Sequence, residues 1–161
     1  GVVTGTVFII ASVASPIIGF LVDFFGCSIY WMQSGLAMIL IAHILFCFTF
    51  IPPMFQSVLI AFSLCFVGCT LWPMVALTVN REHLGTALGL TQSIQNLGLS
   101  TISILVGYIS KTYGYTMSEY FFIIIATLAL LISYLLHLSD MKNGLLNKSK
   151  KRFTKLCNKL K

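Results

Sequence analysis

Gly19-Phe20-Leu21-Val22-Asp23-Phe24-Phe25-Gly26 places one carboxylate between two glycines, just where a long apolar run ends. Spans of a bilayer rarely finish on a bare acid, so Asp23 is expected to meet a partner there. Its neighbours support lipid as the solvent. Of the 161 residues, 58% are apolar and 9% charged, and mean hydropathy is +0.96. Soluble domains carry about 25% charged residues. A chain of this length cannot hide so much apolar surface from water, so an all-α membrane protein is expected.

Five apolar segments follow one another, over residues 1–22, 29–50, 54–79, 85–110 and 118–138. Each has about 20 residues or more, enough to cross ~30 Å of hydrocarbon as a helix. The breaks hold Asp23 to Ser28, Ile51-Pro52-Pro53, Asn80-Arg81-Glu82-His83, and Lys111 to Ser118 with Gly114. On these boundaries the acids and bases fall in a break, in the terminal stretch 139–161 or, for Glu119, at the edge of the last span, and no span is expected to carry a charge in its interior. Eight of the ten bases lie beyond residue 140, and Arg81 and Lys111 are the other two. Beside five spans, this basic stretch reads as a cytoplasmic tail against anionic lipid and not as a nucleic-acid site. Counting back, the Asp23 and Arg81 loops are cytoplasmic and the Pro52-Pro53 turn and the Lys111 loop face the other side. Residue 1 opens no charged n-region and no cleavage site follows, so no signal peptide is expected. The chain is expected to be part of a longer protein.

The spans differ in polarity. Segments 29–50 and 118–138 are nearly uniformly apolar, as suits helices that face lipid all round. The first carries Thr4, Thr6, Ser12 and Ser15. The third carries Ser57, Ser63, Thr70, Thr78 and the pair Trp72-Pro73. In the fourth, Gly85, Gly89, Gln92, Asn96, Ser100, Ser103 and Gly107 recur at steps of 4, 3, 4, 4, 3 and 4 residues, one small or polar stripe on one helix face. Leu90, Ile94, Leu97 and Leu105 mark the other face. The glycines of the stripe suit close helix packing, with Gly85 and Gly89 in small-xxx-small spacing. An amide left unpaired in lipid costs several kcal/mol, so Gln92 and Asn96 must line a wet cavity or hydrogen-bond between helices. Gln95 flanks them. Trp72 either lines the same cavity or packs as an ordinary aromatic, and Pro73 is expected to bend its helix.

The spacing G-x-L-x-D-x-x-G of residues 19–26 is similar to the cytoplasmic loop signature of the major facilitator superfamily of transporters. Leu71-Trp72-Pro73-Met74-Val75-Ala76, Leu84-Gly85-Thr86-Ala87, Gln92-Ser93-Ile94-Gln95-Asn96-Leu97-Gly98-Leu99 and Ser15-Pro16-Ile17-Ile18-Gly19 resemble the lysosomal dipeptide transporter branch of that superfamily. The resemblance covers nearly all of residues 1–138. It implies five transmembrane helices corresponding to helices eight to twelve of a twelve-helix fold. Helices eight, ten and eleven border the central cavity there, and nine and twelve lie outside, which agrees with the polar and apolar spans here.

By that resemblance the protein is a carrier working by alternating access, a uniporter of dipeptides in the lysosomal membrane with its C-terminus cytoplasmic. Its implied partners are the dipeptide, the bilayer, the N-terminal half of the same protein and a glycosylated lysosomal membrane protein that shields it. The sequon Asn147-Lys148-Ser149 lies in the cytoplasmic tail, where it is not glycosylated. Gly19, Asp23 and Gly26 become a conformational gate, with Asp23 meeting a helix N-terminus of the other half. Cys27 and Ser28 stand where basic residues usually follow the signature, so the latch is expected to be weak. A dipeptide is a zwitterion, and these spans carry no mid-membrane charge to hold it. The charged clamps are therefore expected in the other half, with Gln92, Gln95, Asn96 and Trp72 as contacts from this one. A proton-coupled carrier of small solutes or drugs, and a non-transporting membrane scaffold, are the alternatives.

Other chemistry finds little footing. His43 is the imidazole well inside a span, with no acid accompanying it, and is expected to be a packed residue; His83 and His137 lie at interfaces. Cys65 and Cys69 share a helix face, as core residues do. No C-x-x-C, metal-ligand spacing or phosphate-binding glycine loop occurs, so no metal, cofactor or enzymatic role is expected.

Overall fold

The computed structural model describes residues 2–49 and 52–143. The bases beyond residue 143, the sequon and Cys157 lie outside the described residues. Five helices follow one another: α1 (Val2–Phe25), α2 (Ser28–Phe48), α3 (Pro53–Thr78), α4 (Leu84–Tyr113) and α5 (Tyr115–Asn143). A 3-10 turn, Arg81–His83, joins α3 to α4, and no strand occurs among the described residues. The chain is an all-α membrane protein. α1, α2, α3 and α5 are each long and apolar enough to cross a bilayer. α4 is the longest, at 30 residues or about 45 Å, but its polar stripe lowers its hydropathy below theirs.

The connections are tighter than the sequence suggests. α1 runs on through Asp23 to Phe25, so the loop shrinks to Gly26 and Cys27, with left-handed φ values of 70° and 58°. The Trp31 indole N–H donates to the Gly26 carbonyl across 3.1 Å and pins this turn from the first turn of α2. Between α4 and α5 the expected break contracts to Gly114 alone, at φ 88° and ψ 172°, a conformation open in practice only to glycine. Its N–H caps the Ser110 carbonyl at 3.2 Å. In consequence Glu119 sits in the second turn of α5, and Asp140, expected in the tail, lies buried near its far end. The expectation that no span holds a charge in its interior is thereby corrected. α1 and α4 extend past their apolar cores until Gly26 and Gly114 turn the chain.

α1 packs on α3, α3 on α2, α2 on α5 and α5 on α4, with a lighter contact returning from α4 to α3. Ala14, Ile18 and Val22 form an i, i+4 row on α1 that meets Cys65, flanked by Ala11, Trp31, Phe66 and Cys69. The thiols of Cys65 and Cys69 reach the Ala11 and Ser15 carbonyls at 3.5 and 3.6 Å. They are core residues, as their spacing suggests, and no disulfide forms among the described cysteines.

α2 does not face lipid all round. Ile29 and Ala42 are fully buried, and Gly35 lies so close to α3 that an added Cβ would fall 2.9 Å from Phe66 Cβ, 3.0 Å from Val67 Cγ2 and 3.1 Å from the Ser63 carbonyl. Its apolar composition hides this, because a glycine groove reads as neutral in hydropathy. The Gln56 amide of α3 donates to the Ala42 carbonyl at 2.6 Å. Ser63 and Thr70, both fully buried, return their hydroxyls to the carbonyls of Leu59 and Phe66 in their own helix. No polar partner from another helix is then needed in lipid.

Candidate functional site

α4 differs from the other four helices. It has no buried residue, and its contacts run along α5 and, lightly, α3. Its polar face is therefore open along its whole length. Gln92 Nε2 donates to Asn96 Oδ1, one turn on, across 3.3 Å. Ser93, Ser100, Thr101 and Ser103 each donate to the carbonyl four residues back, at 2.7–2.9 Å. Those hydroxyls are spent as donors. The amides are not: after their mutual bond Gln92 keeps an N–H and its carbonyl, and Asn96 keeps its NH2 group. The stripe thus presents two amides with spare capacity on a surface of otherwise satisfied hydroxyls.

A Cβ added at Gly85, Gly89 or Gly107 would meet nothing within 4 Å. The groove these glycines cut points away from the other four helices. Gln95 is exposed on the same helix, but no hydrogen bond joins it to the pair. Trp72 is half-buried on α3, which runs without a break through Pro73. Behind α4, a cavity of about 330 Å³ opens between it and α3, lined among others by Met32, Met74, Thr78, Leu90 and Thr91. α4 is therefore seated on its neighbours with slack.

The Asp23 region is built from short-range constraints. Asp23 is exposed in the last turn of α1. A carboxylate there opposes the dipole of its own helix. Gly19, one turn earlier, faces α3, where an added Cβ would lie in ordinary contact at 3.8 Å from Cys69 Sγ. Gly26 supplies the left-handed turn. The three residues share one helix end, and the Asp23 carboxylate projects outward from it.

One pair was not legible in the sequence. His43 Nδ1 on α2 and Glu119 Oε2 on α5 are 2.7 Å apart, with side chains only 15% and 18% exposed. The expectation that His43 has no acid beside it is overturned. Seventy-six positions separate the two, so no local pattern links them. Topology offered the one available signal: a span ending near His43 and a span starting near Glu119 share a membrane side. Among the described residues no cluster of three or more His, Cys, Asp or Glu could hold a metal ion.

Comparison with known proteins sets these features in context. The sequence profile of the Major Facilitator Superfamily matches residues 1–160. The zebrafish (Danio rerio) protein named "Lysosomal dipeptide transporter MFSD1" is 43% identical over 148 residues, covering 91% of this chain and 32% of the relative. The mouse (Mus musculus) protein of the same name is 42% identical over 142 residues, 88% of this chain and 31% of the relative. The human (Homo sapiens) protein is 41% identical over 142 residues, 88% and 30%. The chain spans about a third of the length of the curated relatives it matches.

Proposed function

Because this chain belongs to the major facilitator superfamily, we propose that it supplies helices eight to twelve of a secondary carrier, not an enzyme, that moves dipeptides across the lysosomal membrane by alternating access. The observation that carries this is the open polar face of α4. Two amides with spare hydrogen-bonding capacity stand on α4, which has no fully buried residue. Such a face is costly against lipid and suits a wet cavity shared with the N-terminal half. Gln92 and Asn96 contact substrate, with Gln95 and Trp72 at the cavity margin. Gly85, Gly89 and Gly107 let the opposite half approach α4 closely.

In this carrier Gly19, Asp23 and Gly26 form the gate. Asp23 projects from the end of α1 and accepts hydrogen bonds from a helix N-terminus of the other half, which closes the cytoplasmic side. The ammonium and carboxylate of the dipeptide are held by charged groups of that half. A glycosylated accessory protein would cover the luminal side. The names of the relatives support the dipeptide and the lysosome; uniport and orientation rest on the resemblance and on the distribution of basic residues.

Reconstituted full-length protein in liposomes tests this. Dipeptide uptake should fall about tenfold in Gln92→Leu and in Asn96→Leu, a loss of the size expected when a buried polar group of the substrate is left without its partner. Collapse of a pH gradient should leave wild-type flux unchanged. Wild-type flux in both variants, at normal protein levels, would remove these residues from the substrate path.

A further inference from the structure

His43 lies five residues before the end of α2 and Glu119 four residues after the start of α5. Each is therefore about 6–8 Å inside its helix, at the Pro52 end of the bundle. α5 holds the imidazole twice. Glu119 takes its edge at 2.7 Å, and Phe122, three residues on, stacks on its face with centroids 5.0 Å apart and planes at 19°. α3 braces the same turn of α2 through the bond from Gln56 to the Ala42 carbonyl.

An ionised carboxylate only accepts hydrogen bonds, so Nδ1 carries the proton that faces Glu119. Nε2 is left as the atom that takes a second one. The titratable neighbours are few. Cys47, one turn beyond His43 on α2, and Tyr120, next to Glu119 on α5, interact with each other. The thiols of α3, Cys65 and Cys69, reach across to α1. α4 meets the start of α5 through the 2.6 Å contact between the Ser110 and Ser118 hydroxyls, and its Lys111 is exposed.

We propose that His43 and Glu119 form a proton-binding clamp between α2 and α5. Uptake of a proton at His43 Nε2 turns a hydrogen bond from a neutral imidazole to a carboxylate into an imidazolium–carboxylate pair. The bond is charge-assisted in both states, and the proton adds the attraction of opposite charges to it. The clamp is tighter when the imidazole carries its second proton, and histidine is the side chain suited to exchange one in mild acid. The two helices it joins are those the family resemblance places outside the cavity, so the clamp stiffens the frame against which α4 and α1 move. The pH response itself is independent of transport. That it senses the lumen follows from the proposed orientation.

Hydrogen–deuterium exchange on the full-length protein tests the clamp. After correction for intrinsic rates, amides of residues 44–48 and 115–121 should exchange about fivefold more slowly at about pH 5.5 than at about pH 7.5. The difference should vanish in His43→Gln and in Glu119→Gln. Equal protection of the wild type at both pH values overturns the proposal, and so does a pH difference that survives in both variants. The wild-type comparison stands even where a variant fails to fold. A protein that carries no dipeptide still answers the question, so failure of the clamp and failure of the transport assignment are distinct results.

Discussion

Replacing Gly35 by alanine places a methyl group where α2 already touches α3. The new Cβ would lie 2.9 Å from Phe66 Cβ, 3.0 Å from Val67 Cγ2 and 3.1 Å from the Ser63 carbonyl oxygen. Val67 can rotate away. Phe66 Cβ and the Ser63 carbonyl are fixed to the backbone of α3, so the helices themselves must separate by several tenths of an ångström. Overpacking of this kind costs about 1–3 kcal/mol. In water, alanine would recover about 1 kcal/mol through its helix propensity. In a bilayer the separated helices keep their backbone hydrogen bonds, so most of that gain cancels. The net loss is then close to the overpacking cost itself, about 1–3 kcal/mol. Thermal unfolding of the full-length protein in detergent, followed by tryptophan fluorescence, measures it. The midpoint should fall by about 1 °C per kcal/mol lost in a protein of the relatives' length. Gly68→Ala is the control: it sits on α3 with nothing within 4 Å of the added Cβ, and should leave the midpoint in place. A Gly35→Ala protein that melts at or above the wild type, with a well-behaved control, would refute the close approach of α2 to α3.

The Gly114→Ala variant should lose about 1–3 kcal/mol, because a φ of 88° is forced on a residue with a Cβ and the one-residue link leaves no neighbour to absorb the strain; a midpoint equal to the wild type would show that α4 and α5 join differently. Asp23→Asn removes the charge from the proposed gate and should shift the carrier towards cytoplasm-open states. Distances between spin labels on the two halves report that shift, and an unaltered distribution counts against the latch.

The class of this protein was plain from local chemistry. Hydropathy is a property of each residue, and summed over twenty positions it locates a membrane helix without any knowledge of its neighbours. The stripe from Gly85 to Gly107 is equally local, because 3.6 residues per turn relates sequence spacing to helix face. The structure adds that this face is open and that its hydroxyls are already satisfied within α4. Helix ends were less legible. Asp23 and Asp140 were placed outside the spans and Glu119 at the edge of one because charge lowers hydropathy, but α1 and α4 stop where the backbone can turn, at Gly26 and Gly114, and not where polarity begins.

The sequence by itself determined the solvent, the helical class, the polar face of α4 and the resemblance that names the family. Tertiary structure alone decided which helices touch. It brought Gly35 against Phe66 and His43 against Glu119, pairs 31 and 76 positions apart. The physical reason is that hydropathy and periodicity act along the chain, whereas contact depends on how helices lie side by side in the membrane. An apolar helix such as α2 looks alike from every direction until its neighbours are in place.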